Sequence, residues 1–162
     1  MAEAAGRFGT DRLVAKPRVS ASAYRTLRWS SGEPLDEGPQ GPALIQPYLP
    51  PIERAGELSL FYIGGRYSHA VRKVPRAGDF RVQPEYEGVI TAETPDDDEL
   101  AAAEAILTAV QEPLLYARVD LVRDLEDRPV LMELELVEPD LYLGHDPAAG
   151  RRFAEAVLAE LR

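Results

Sequence analysis

Residues 115–122, LYARVDLV, and 130–137, VLMELELV, decide how this chain is read. Side chains along a strand point alternately to opposite faces. Arg118 and Asp120 therefore share one face of the first segment, and Val119 and Leu121 take the other. In the second segment Glu133 and Glu135 share a face opposite Met132, Leu134 and Leu136. The polar stretch Arg123 to Pro129 joins the two as strands of a hairpin. If the apolar faces match, three carboxylates, Asp120, Glu133 and Glu135, converge on one side beside Arg118. Two carboxylates ~4 Å apart repel by roughly 4 kcal/mol at an effective dielectric near 20. A hard divalent cation with oxygen ligands removes that cost, and Mg2+ held by carboxylates and substrate phosphates is the usual arrangement. The same alternation also suits an ordinary antiparallel sheet with one face in water. The pattern alone leaves both readings open.

Upstream of the hairpin, Thr94 to Gln111 reads as a helix. Thr94 is placed to cap it, Pro95 suits the first helical position, and Asp97 stands three residues after the cap. The acidic run Asp96 to Glu99 favours the positive end of the helix dipole. Leu100, Ala103, Leu107 and Val110 form an apolar stripe at helical spacing. Earlier still, Glu57 to Ile63 and Tyr67 to Val74 read as strands joined at Gly64-Gly65, and Gly78 to Gly88 as irregular. Asp11 to Lys16, Tyr24 to Trp29 and Ala43 to Gln46 read as short strands. Pro17 and Pro47 stop two of them, and Pro50-Pro51 makes a stiff corner. Ser20-Ala21-Ser22 and Ser31 to Pro42 read as loops. After the hairpin, Asp146-Pro147 opens a last helix with Phe153, Val157 and Leu161 on one face. Strands grouped around few helices indicate an α+β fold with an antiparallel sheet and flanking helices.

Bulk properties narrow the function. With 162 residues the chain can bury a core of its own. It has no cysteine, which removes disulfides, thiolate nucleophiles and cysteine-ligated metals. The two histidines, His69 and His145, form no ligand-spaced pair; His69 reads as a packed or surface strand residue. A net charge of -10 argues against nucleic acid as a partner. Local basic clusters, Arg66 to Arg81 among them, still permit a phosphate ligand. No apolar run is long enough for a bilayer and no signal segment precedes the first strand, so neither a membrane nor export is expected and the cytoplasm is the expected location.

Taken in order, Val14-Ala15-Lys16-Pro17, Leu44-Ile45-Gln46-Pro47-Tyr48-Leu49, Gly56-Glu57-Leu58-Ser59-Leu60, Gly78-Asp79-Phe80-Arg81, Ala117-Arg118-Val119-Asp120 and Met132-Glu133-Leu134-Glu135 form a series. It resembles the ATP-grasp superfamily, in particular its glutathione-synthetase-like and ribosomal-protein-modifying ligases. The resemblance implies a partial small lobe over residues 1–48 and a C-terminal lobe with the metal site over 49–162. It implies that Lys16 reaches ATP phosphates, that the backbone from Gln46 through Tyr48 to Leu49 holds the adenine edge, and that Glu57 takes the ribose hydroxyls. Arg81, with Arg72 as a weaker candidate, resembles the basic residue near the γ-phosphate. Arg118 resembles the transition-state arginine, and Asp120, Glu133 and Glu135 the ligands of Mg2+, or of Mn2+ in its place.

The reaction so implied joins a carboxylate to an amine, or a thiol, through an acyl phosphate. It needs positioning and charge rather than a covalent protein nucleophile. Three departures from the family pattern stand out. Glu135 occupies a position commonly held by Asn. The loop Val19 to Ala23 lacks the usual glycines. A Gly/Pro-rich link replaces a helix between Trp29 and Ala43. The family's N-terminal substrate domain has no counterpart before residue 11, so the expectation is a fragment, or a half that needs a missing domain or second chain. A non-catalytic remnant serving as a nucleotide-binding or interaction module is the alternative.

Overall fold

Gly64 and Gly65, at φ of 57° and 73°, close a two-residue turn that few other residues could adopt. The strands on either side are β4 (Glu57–Ile63) and β5 (Arg66–Val74), and they lie in the larger of two compact units, Met1–Pro50 and Pro51–Arg162. The computed structural model describes residues 1–19, 23–34, 38–76, 78–82 and 88–161. The expected loop at Ser20-Ala21-Ser22, and parts of those read at 31–42 and 78–88, lie outside the described residues.

In the first unit, α1 (Ala2–Phe8) precedes three strands, β1 (Arg12–Pro17), β2 (Leu27–Ser30) and β3 (Ala43–Pro47). They form an antiparallel sheet in the order β2-β1-β3. The central strand buries Leu13, Val14 and Ala15, and Trp29 of β2 is buried with its indole N–H donating to the Glu33 carbonyl at 2.8 Å. β2 starts later than its alternation predicts because Ala23 and Arg25 take left-handed backbone at φ 52° and 56°, which ends extended pairing. The helix α1 carries no signal that the sequence reading recognised.

The second unit opens with a single helical turn, α2 (Ile52–Ala55), after the Pro50-Pro51 corner. Its sheet has five strands in the order β6-β5-β4-β7-β8, every neighbouring pair antiparallel. The remaining members are the edge strands β6 (Val89–Glu93) and β8 (Pro129–Glu135) and, between β4 and β8, β7 (Tyr116–Arg123). β6 was not anticipated; among the described residues it pairs only with β5, and it is mostly exposed, so it lacks the hydrophobic alternation that identifies a half-buried strand. The helix α3 (Asp97–Thr108) is shorter than expected. Asp96 rather than Thr94 caps it: the Asp96 side chain accepts from the Glu99 N–H at 2.9 Å and Glu99 accepts from the Asp96 N–H at 3.0 Å. Two reciprocal bonds satisfy two helix-end donors, which Thr94 and Asp97 do not.

Helix α3 covers one face of the sheet. Leu58, Leu60 and Tyr62 of β4 and Ala117, Val119 and Leu121 of β7 form the core there with Ala70 and Ala103, and Leu100, Ile106 and Leu107 pack against it. Each buried Leu or Val is worth roughly 1.5–3 kcal/mol in transfer free energy. The opposite face carries Ser59, Phe61, Arg118 and Asp120, all buried although three of them are polar. The last helix, α4 (Ala149–Glu160), meets the sheet near the hairpin turn: Phe153 lies 6.1 Å from the Tyr116 ring and Arg152 donates to Ser68 Oγ at 2.8 Å. Leu161, expected on its packed face, is 77% exposed and falls after the helix ends. Among the described residues no helix is long and apolar enough to cross a membrane.

Candidate functional site

Strand alternation and register together build the polar cluster. Asp120 pairs with Glu133 and Arg118 with Glu135 across β7 and β8, while Ser59 pairs with Asp120 across β4 and β7. A bulge lies just past Asp120, where Leu121 is opposite Leu131, so Met132 is the extra residue. The bulge leaves Glu133 and Glu135 on one face with Asp120. Carboxylate oxygens of Asp120, Glu133 and Glu135 all lie within 4.8 Å of one another.

Asp120 is fully buried and heavily used. Ser59 Oγ donates to it at 2.6 Å, Arg118 Nε donates to both its oxygens at 3.1 Å, and Lys73 Nζ lies at 3.4 Å. Arg118 also pairs with Glu135. Lys73 donates to Glu57 Oε1 at 2.8 Å, and both residues are buried. Burial, reinforced by Asp120, pushes the Glu57 carboxyl up to about 7 against the pull of Lys73. Burial lowers the Lys73 ammonium, but Glu57 and Asp120 together outweigh it and its pKa rises. Burial raises Glu135, opposed by Arg118 and assisted by Glu133 and Asp120. The two carboxyls respond as crowded acids removed from water, and the ammonium as a cation held among them.

Four carboxylates thus face two cations, and the excess negative charge is between one and two, depending on whether Glu57 carries its proton. The three converging donors are all carboxylate oxygens, the set preferred by Mg2+ and Ca2+ and unsuited to soft metals. The residues fit a hard divalent cation.

Within the second unit, Arg72 and Arg81 make other contacts. Arg72 sits on the α3 face, donating to Glu93 at 3.2 Å, Glu99 at 3.2 Å and the Ala55 carbonyl at 3.2 Å. Arg81 is clasped by Asp79 at 3.0 and 2.8 Å, and that contact, with backbone N–H bonds, holds the Asp79 carboxyl well below the usual range. In the first unit, Lys16 is on β1 opposite Leu44, and Gln46 is on β3 opposite Val14. Tyr48 is buried, with the Arg12 and Arg28 guanidiniums over its ring at 5.4 and 5.3 Å, and Leu49 follows it. A cleft of about 680 Å³ lined by Tyr62, Tyr67, Leu107 and Tyr116 includes none of Glu57, Asp120, Glu133 and Glu135.

Lys73 is the cluster residue the sequence reading missed. A plain two-residue hairpin over Gly64-Gly65 puts Ile63 opposite Arg66, and the same register would put Arg72 opposite Glu57. The structure contains a bulge that leaves Ser68 unpaired between Tyr67 and His69, and it moves Lys73 opposite Glu57 instead. Slipping the register by one exchanges the faces of all residues beyond.

No protein-family model matches the sequence. The chain is 35% identical over 136 residues to the cycloserine biosynthesis protein DcsG of Streptomyces lavendulae, a match covering 74% of this chain and 42% of that protein. Its fold is similar to the crystal structure of D-cycloserine synthetase DcsG, with a TM-score of 0.78 and 24% identity, over 99% of this chain and 59% of that one. It is also similar to the ATP-grasp ligase PsnB complexed with a phosphomimetic variant of its minimal precursor, Mg and ADP, with a TM-score of 0.68, 19% identity, and 99% and 50% of the two chains covered. D-alanine–D-alanine ligase from Bacillus anthracis, complexed with ATP, superposes with a TM-score of 0.60 at 15% identity over 91% of this chain and 51% of that one. The chain spans 42% of the curated relative's length.

Proposed function

Because the chain belongs to the ATP-grasp superfamily, we propose that it is the nucleotide- and Mg2+-binding portion of a ligase that uses ATP to join a carboxylate to an amine or thiol. One observation carries this reading: three carboxylates, Asp120, Glu133 and Glu135, converge within 4.8 Å on the face of the sheet that also holds Arg118 and Lys73. On this reading those three acids hold Mg2+, which when bound supplies positive charge to the nucleotide's phosphates. Mn2+ has the same oxygen preference and would substitute.

The chain's own residues then orient and neutralise. Arg118, fixed by Asp120 and Glu135, presents a planar guanidinium whose direction is set before any ligand arrives, so little reorganisation is required as charge develops on the phosphoryl group. Arg81 would serve the same group by exchanging Asp79 for it. Lys16 and the backbone of Gln46, Tyr48 and Leu49 are assigned to the phosphates and the adenine edge. Glu57 would share its carboxylate between the ribose hydroxyls and Lys73. Arg72, held among Glu93, Glu99 and Ala55, is assigned to the framework. Residues 1–48 form the small lobe on this assignment and 49–162 the metal-bearing lobe. The carboxylate substrate would accept the γ-phosphoryl group to give an acyl phosphate, and the amine or thiol would then displace phosphate. A further domain or second chain that contributes to the substrate sites belongs to the same proposal.

The experiment is a thermal melt with Mg·ATP. A ligand at about 100 times its dissociation constant stabilises the native state by ~2.7 kcal/mol, which raises the melting temperature of the wild-type chain. Glu133→Ala should lose that rise; a rise equal to wild type removes the metal assignment. A nucleotide-binding module without turnover is the competing reading. ATP consumption with a carboxylate and an amine would reject it.

A further inference from the structure

Residues Glu138 to Asp146 follow β8 and form a strap on the polar face of the larger unit. Three consecutive residues of the strap meet the sheet. The Asp140 carbonyl accepts from Arg118 at 3.5 Å, the Leu141 carbonyl lies 2.9 Å from His69 Nε2, and the Tyr142 ring lies 5.9 Å from Lys73 Nζ and from the Phe61 ring. Arg118 and Lys73 are also the two cations that serve the acids. The strap's backbone is held in an unfavourable state, with φ of 50° at Glu138 and 45° at Tyr142. Such conformations cost of order 1–3 kcal/mol each and persist only where the surroundings enforce them.

His69 is the anchor that serves no acid. Among the described residues it makes no hydrogen bond to Glu57, Asp120, Glu133 or Glu135. It is 5% exposed and stacks on Phe61 with ring centroids 4.5 Å apart. Its bonding fixes its proton. The Leu141 oxygen can only accept, so Nε2 carries the hydrogen and, in the neutral ring, Nδ1 is left to accept. Ser68 Oγ lies 2.9 Å from Nδ1 and donates to it, and that hydroxyl oxygen accepts from Arg152 Nε at 2.8 Å. Arg152 is in turn paired with Asp146 at the end of the strap. The relay runs from α4 through the bulge residue Ser68 and His69 to the middle of the strap, and from Arg152 Nε to the Leu141 carbonyl each donor meets an acceptor.

We propose that His69 is a positioning residue: as the Nε2–H tautomer it clasps the strap, and the clasped strap holds Arg118 and Lys73 in place beside the acids. The functional consequence rests on the ligase reading, in which those two cations handle phosphate; the clasp itself does not.

The test compares the full chain with His69→Phe, which keeps the stack on Phe61 and removes the donor, and His69→Gln, which keeps a donor near the Nε2 position. In the wild type, 15N spectra of the imidazole at about pH 7.5 should show Nε2 protonated and Nδ1 bare. Loss of one hydrogen bond should speed amide exchange at Tyr142 and His145 about tenfold in His69→Phe, with His69→Gln close to wild type. Unchanged exchange at Leu60 and Val119 shows that the variants fold. If His69→Phe does not fold, Ser68→Ala, which removes the partner of Nδ1, should speed the same two amides.

A bare Nε2, or equal exchange in the Phe and Gln variants, overturns the clasp. Mg·ATP affinity should weaken severalfold in His69→Phe and recover in His69→Gln; a loosened strap with unaltered affinity overturns the positioning role. A wild-type chain that does not bind Mg·ATP defeats the ligase reading instead, and the tautomer and exchange results still decide the clasp.

Discussion

Asp120 divides its two oxygens among Ser59, Arg118 and Lys73. A buried acid so fully partnered stays where it is put, whereas its neighbour Glu133 is exposed and Glu135 is half-buried. The convergence of the three could be foreseen because a strand's period of two leaves little freedom in a hairpin. The identity of their companion Lys73 could not, because one unpaired residue, Ser68, determines whether Arg72 or Lys73 faces Glu57. No residue type marks that bulge in advance. His69 offers a prediction at this scale. Burial lowers its pKa below the ordinary 6.5, with Arg152 and His145 acting in the same direction and the Leu141 carbonyl and Asp146 opposing. In the range between the two pKa values the unfolded chain binds a proton that the folded chain refuses. The stabilisation is therefore complete above about 6.5 and is lost as pH falls through the lower folded value. Glu57, whose folded carboxyl is raised to about 7, acts in the opposite direction in both proteins, so the prediction is a difference: relative to His69→Gln, the wild-type melting temperature should decline from about pH 7.5 to 5.5.

Elements with strong local signals were legible and those without were not. The pair β4 and β5, the pair β7 and β8 and the body of α3 follow from alternation, a glycine turn and a helical stripe. β6 was missed because an exposed edge strand needs no apolar face, and the cap of α3 was misplaced by two residues because Thr94 and Asp96 are both capable capping types. Gly56 shows what the elements require of the chain between them. It leaves α2 at φ 70°, and a Cβ there would lie 2.4 Å from the Lys73 carbonyl oxygen. Gly56→Ala should therefore destabilise the chain by about 1–3 kcal/mol, read from the urea midpoint. The conflict is with backbone, so it cannot be relieved by a side-chain rotation. A midpoint equal to wild type would show that β4 enters the sheet by another path.

At the scale of the molecule, each unit has a sheet of its own, and Pro50 and Pro51 stand where the two units meet in sequence. The stiff corner was legible at those prolines. The polar residues buried on the second sheet were only half legible, since alternation places a Glu on a face without saying whether water or protein covers it. In this chain Asp120, Glu57 and Lys73 are covered, and the excess acid remains.

The claim that this excess holds a metal is tested most directly by titrating Mn2+ into the chain with and without ATP, following free Mn2+ by electron paramagnetic resonance. The account predicts one site, tightened by ATP and weakened about tenfold or more when Glu133→Gln removes one charged ligand. Mn2+ that stays free in the wild type, or binds equally well to Glu133→Gln, would contradict it.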